Sequence, residues 1–218
     1  MAAGADILLL FLEGDTVGLG GKIALGCGGA LVLFLVILGL GVMGSYNGLN
    51  SLSQAVDAQW GQVENVYQRR ADLVPNLVET VKGAAAFEKD TFTAVTEARA
   101  KVGQVSLGQA PASAEALANF QKAQEGLGSA LSRLMVVVEK YPDLKATQNF
   151  RDLQAQLEGT ENRIAVERMR FNQAAQAFNT RRTSFPAMLL VGFFGDRFRE
   201  RPYFKAQAGS EVAPKVHF

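Results

Sequence analysis

Histidine occurs once, at His217, and cysteine once, at Cys27. Those two positions decide most of the covalent chemistry open to the chain. A nucleophile of the Ser-His-Asp or Cys-His kind needs an imidazole beside it, and residues 45–205 contain none. A zinc site built from His and Cys fails for the same reason. Carboxylates are plentiful, with Glu79, Glu88, Asp90, Glu97 and Glu161 on helical-looking segments. A di-metal site between bundle helices takes paired Glu-x-x-His sequences, however, and the histidines are missing. No catalytic residue, cofactor or metal ligand is therefore expected. Lys and Arg total 22 against 21 Asp and Glu, a formal charge of +1, so no basic excess argues for nucleic acid.

Polar residues on apolar rows are the remaining candidates. Arg70 and Arg168 interrupt otherwise apolar helical stripes. Such an arginine either snorkels or pairs with a carboxylate such as Glu64, Asp72 or Glu161. Arg70 with Glu161 is the candidate core ion pair, one that would set helix register. Asn76, Asn149, Asn162 and Asn172 lie near core-facing rows, where asparagine more often caps, kinks or cross-links helices than binds a ligand.

The elements that must carry these residues begin with an apolar stretch. Residues 23–43 hold no charged side chain, and as a helix they span roughly 31 Å, the thickness of a bilayer's hydrocarbon core. A cleaved signal has a shorter apolar core behind a basic flank, whereas residues 1–21 carry Asp6, Glu13 and Asp15 and no Lys or Arg. A retained membrane anchor over 22–44 is the expectation. The leader over 1–21 holds a short apolar patch at 7–12, read either as disordered or as an interfacial or partner-packing segment. Gly20, Ala24 and Gly28 recur at four-residue steps, the spacing of small residues at which membrane helices approach closely, and are the candidate self-association face. Cys27 has no second cysteine to pair with and only a loose lipobox before it.

Beyond Gly44 the pattern turns amphipathic. Leu49, Leu52, Val56, Trp60, Val63, Tyr67, Val74, Leu77 and Val81 fall on one helix face. Pro75 lacks an N–H and clashes with the preceding turn, which predicts a kink or a restart there. Further helices are expected over 88–102, 114–141 and 144–183, with a Gly/Ser/Gln/Pro linker over 103–113 and a break at Tyr141-Pro142. The fold class is all-α: a transmembrane helix continuing into an antiparallel bundle of long helices over 45–185.

An apolar, arginine-rich segment follows at 186–205, then a tail at 206–218. Three readings are open for the segment: a lid folded back on the bundle, a layer on an anionic membrane face, or a contact with a neighbouring subunit. Phe193, Phe194, Arg197, Phe198 and Arg199 are the candidate membrane or subunit contacts. Folding back is the default.

Several stretches together are similar to the LemA family. They include Ser45-Tyr46-Asn47-Gly48-Leu49, Val56-Asp57-Ala58-Gln59-Trp60, and above all the block from Arg69-Arg70-Ala71-Asp72 through Pro75-Asn76-Leu77 to Lys82-Gly83. Val95-Thr96-Glu97-Ala98-Arg99, Tyr141-Pro142-Asp143, Gly159-Thr160-Glu161-Asn162-Arg163, Phe171-Asn172, Phe178-Asn179, Phe185-Pro186 and Pro202-Tyr203-Phe204 continue the likeness, which covers about 23–205. The resemblance implies a bacterial, single-pass inner-membrane protein with a short outside N-terminus and a cytoplasmic helical bulk. No enzymatic activity is established for the family, and its magnetosome-membrane branch implies roles in organising or shaping membranes. Charge alone leans the other way on topology, since Lys22 precedes the anchor and no Lys or Arg follows it until Arg69; the expectation follows the family. Arg182 stands where the family pattern has an aliphatic residue, so the end of the last helix is expected to be more exposed. The expected function is a non-enzymatic, homo-oligomeric scaffold on the lipid bilayer. The alternative is a small signalling or quality-control adaptor with a protein partner.

Overall fold

The computed structural model describes residues 19–83, 88–105 and 108–205, with side chains from residue 26 onward. The patch at 7–12, the tail from 206 and the side chains of Gly20 and Ala24 lie outside the described residues. Among those described, all regular structure is helical: α1 (Leu19–Lys82), α2 (Lys89–Gln104), α3 (Ala114–Val138), α4 (Pro142–Lys145), α5 (Gln148–Thr183), α6 (Ala187–Leu190) and a 3₁₀ stretch, Val191–Phe198. The chain divides into two compact units, Met1–Asn47 and Gly48–Phe218.

The first unit carries the apolar part of α1. An 18-residue window there has a mean hydropathy of 2.4 and no buried residue. Its large side chains from Leu31 to Leu40 run from 52% exposed at Leu38 to 65% at Leu40. That is a helix with no core to enter.

The second unit has one. Leu49, Val56, Trp60, Val63, Tyr67, Val74, Leu77 and Val81 are all buried, as the three- and four-residue spacing predicts, while Leu52 of that row is only half-buried and Ser53 beside it is buried instead. Phe92 and Val95 of α2, Leu117, Phe120, Leu127, Leu131 and Leu134 of α3, and Phe150, Ile164, Phe171 and Phe178 of α5 complete it. Cross-helix contacts give the directions. Trp60 meets Phe120 at 5.1 Å and Phe171 at 5.5 Å between ring centroids. Further along α1, Arg70 reaches Gln124 and Glu161. Numbers rise together on α1 and α3 and fall on α5, so α5 is antiparallel to both. Arg99 against Ala71 and Gly108 against Glu64 set α2 antiparallel to α1.

Two boundaries differ from expectation. The helix expected to reach Tyr141 ends at Val138, because Lys140 N–H and Tyr141 N–H turn back to the carbonyls of Val137 and Val138 at 3.0 and 2.9 Å. The helix expected to run from 144 to 183 is divided. Residues Pro142–Lys145 make one turn, and α5 starts after Thr147, whose extended backbone and Oγ1, 3.4 Å from Phe150 N, cap it.

Pro75 lies inside α1, which neither stops nor restarts there. Proline at this position removes the hydrogen bond that the carbonyl of Ala71 would accept. Arg99 of α2 supplies it instead, its Nε donating to Ala71 O at 3.0 Å. The helix continues through the missing bond, and a neighbouring helix fills the gap.

Candidate functional site

The residues that do the most in the second unit hold main-chain atoms. After the 3₁₀ stretch the chain runs without helix or strand from Arg199 to Lys205. Asn179 of α5 donates through Nδ2 to Arg201 O at 2.8 Å and accepts from Arg201 N–H at 2.9 Å. Asn172 treats Phe204 the same way, at 3.0 and 2.8 Å. Each carboxamide acts as a surrogate peptide group. The registers agree: seven helical residues rise about 10.5 Å, and three extended residues cover about 9–10 Å. Pro202 between the two held residues favours extended backbone and has no N–H to leave unpaired.

Side chains then anchor this strap. Phe204 is buried, stacked on Trp60 at 6.1 Å and edge-on to Phe171 at 5.4 Å. The guanidinium of Arg168 lies 4.9 Å above its ring, and Arg168 Nη2 donates to Lys205 O at 2.8 Å. Arg201 reaches back to α1, donating to Ser53 Oγ at 2.9 Å, with Asp57 Oδ1 at 3.3 Å. Arg182, the departure before Phe-Pro, donates through Nε to Phe198 O at 2.8 Å and is half-buried. It fastens the end of the last helix rather than loosening it.

A polar belt crosses the bundle one level away. Arg70, only 4% exposed, donates to Glu161 Oε1 at 2.9 Å, to Gln124 O at 3.0 Å and to Gln124 Oε1. It thereby ties α1 to both α3 and α5, with its guanidinium 5.1 Å above the Tyr67 ring. Burial pushes the Tyr67 hydroxyl above its usual range, opposed by the positive charges of Arg168 and Arg70. Arg70 Nε and Trp60 Nε1 are buried without a partner. An open groove of about 710 Å³ between α3 and α5 is lined by Tyr67, Arg70, Gln124, Glu161 and Arg168. Within it Arg70 is committed to Glu161 and Gln124, and Arg168 to the carbonyl of Lys205, which is the chemistry of a fastening. Among the described residues no group of three or more His, Cys, Asp or Glu is placed to hold a metal ion.

The five residues picked from the C-terminal segment separate. Phe198 is 1% exposed, its ring 6.4 Å from Phe178 and 5.6 Å from Phe194. Phe193 is 86% exposed. Arg197 donates to Asn50 Oδ1 at 3.1 Å, and Arg199 to Asp196 Oδ1 at 2.8 Å. In the anchor, a Cβ added to Gly28 would meet nothing within 4 Å. Sequence reasoning missed Asn179, Gln124, Arg99 and Arg201 as fastening residues. The available signal was Phe-Asn repeated at a seven-residue interval, Phe171-Asn172 and Phe178-Asn179, against Arg201 and Phe204 three apart.

Comparison with known proteins gives one family: the LemA family model matches residues 59–218. The magnetosome protein MamQ 2 of Paramagnetospirillum magneticum is 28% identical over 186 residues, covering 77% of this chain and 67% of that protein. The magnetosome protein MamQ of Magnetospirillum gryphiswaldense is 27% identical over 214 residues, covering 85% and 78% respectively.

Proposed function

The chain belongs to the LemA family, and on that premise we propose that it is a membrane-anchored scaffold without enzymatic activity. In this reading it crosses the bacterial inner membrane once, with its bulk in the cytoplasm. It self-associates, and the assembly organises or shapes the membrane that holds it. The carrying observation is the contrast between the units: Leu31 to Leu40 face outward along a helix long enough to span hydrocarbon, while Gly48–Phe218 closes its own core and commits its buried arginine to bundle contacts. Relatives named as magnetosome proteins support the membrane setting. Self-association draws on Gly20, Ala24 and Gly28, whose four-residue spacing lets helix backbones approach.

The test is the particle mass of the detergent-extracted full-length protein beside Gly28→Leu and a chain starting at Tyr46. A large, uniform particle that dissociates in both altered forms is expected. A monomer or dimer in all three overturns the scaffold and returns the adaptor reading.

A further inference from the structure

Residues 185–195, Phe185 through Gly195, contain no charged or hydrogen-bonding side chain. A turn that merely lids a core is apolar on one side. This one is apolar on both. Ala187, Val191 and Phe198 face the bundle at 0%, 9% and 1% exposure. Phe185, Met188, Leu189 and Phe193 face away from it at 74%, 57%, 60% and 86%. Four large apolar side chains within nine residues are costly to leave in water.

The place of the turn in the second unit identifies what covers it. Arg197 pairs with Asn50, and a Cβ on Gly48 would sit 3.5 Å from Arg181 Nε. The turn is therefore built onto the first residues of that unit. The uncharged span ends only seven residues before Asn50, at Met43, and residues 44–50 carry no charge. Seven residues reach about 10 Å as helix and at most about 25 Å fully extended. Whatever the path of that connection, the turn cannot leave the neighbourhood of the bilayer that the span enters. The flanks suit an anionic surface: Arg181, Arg182, Arg197 and Arg199 outnumber Asp196 and Glu200.

We propose that the outward face of this turn, Phe185, Met188, Leu189 and Phe193, inserts into the same membrane leaflet from which the anchor emerges, giving the protein a second, monotopic attachment. The inference rests on the anchored reading above. Only the outer set takes part, since Phe198 belongs to the protein's own core.

Depth-dependent quenching tests it on the full chain, reconstituted into vesicles of phosphatidylethanolamine and phosphatidylglycerol. In a Cys27→Ser background, an environment-sensitive fluorophore is placed at Phe193→Cys, at Leu35→Cys within the span, and at Glu139→Cys immediately after α3. Phe193→Cys uses a side chain that is 86% exposed, so folding is not at stake. Nitroxides on the lipid acyl chains are expected to quench the probes at 35 and 193 but not at 139. Phe185, Met188 and Leu189 remain to hold the labelled turn in the leaflet, and burying even one such side chain is worth roughly tenfold or more, so aqueous iodide should reach position 193 about tenfold less than position 139. Lipid quenching at 35 but not at 193, with iodide reaching 193, overturns the second attachment alone. Iodide protection at 193 that needs high protein density and shows no lipid quenching overturns it in favour of contact between copies. No lipid quenching at 35 overturns the anchored reading and this inference with it.

Discussion

Replacing Asn172 by Ala removes two hydrogen bonds between α5 and the strap, at 2.8 and 3.0 Å from the main chain of Phe204. At about 1 kcal/mol net each, the strap loses roughly 2 kcal/mol of docking free energy. Both peptide groups regain water once released, so no further desolvation cost is added. Two kcal/mol raises the undocked population roughly 30-fold. Trypsin reads that population directly, because the bond after Arg199 is cut only in an opened segment. Asn179→Ala should behave alike, through Arg201. The double variant should fall short of the sum, since the strap can be lost only once. Circular dichroism of the helices should stay unchanged in all three. Cleavage after Arg199 that changes by less than about threefold, under roughly 0.7 kcal/mol, would refute the reasoning that these asparagines hold the strap.

Arg99→Ala should cost about 1–3 kcal/mol by leaving Ala71 O unpaired, and Pro75→Ala should rescue it by restoring the helical N–H; denaturant melts of the double variant check this, and an absence of rescue counts against the compensation. Arg70→Met should destabilise more than Glu161→Gln, because Arg70 is buried while the Glu161 side chain is 46% exposed. A double-mutant cycle should give a coupling of roughly 1 kcal/mol, and a value indistinguishable from zero removes Glu161 from the register-setting role. The raised Tyr67 pKa means that the unfolded chain releases this proton first, so its stabilising share is complete below about pH 10.0 and declines as pH rises through the folded value. Tyr67→Phe should flatten that alkaline decline in a pH series of unfolding midpoints; an unchanged slope places the titration elsewhere.

The helices were legible because their signal is local. Leu49, Val56, Trp60 and Val63 repeat at the helical period, and that repeat alone identifies the buried row. Arg70 with Glu161 was legible for a related reason: a charge on an apolar row must find a partner, and few were in reach. The fate of the Ala71 carbonyl beneath Pro75 was not legible, because the rule for proline is also local, whereas its partner comes from Arg99, on another helix. The strap left almost no trace, since main-chain recognition imposes no pattern on the side chains it holds. Phe193 and Phe198 are the same residue type five positions apart. They are sorted by 3₁₀ geometry and by the left-handed backbone of Gly195, φ 57°, which no hydropathy reading contains.

The strap also bears on how this sequence can drift. Asn172 and Asn179 read mainly peptide atoms, so the side chain at 205 is constrained far less than Tyr203 is by Asn179, or Arg201 and Phe204 are by Ser53, Asp57 and Trp60. Divergent descendants can therefore exchange the residue at 205 at little cost and keep the docking. What they cannot do is insert or delete a single residue between Arg201 and Phe204, or between the two asparagines. Either change would put one main-chain clasp out of step with the other. Length, as much as residue identity, is the heritable specification of this part of the molecule.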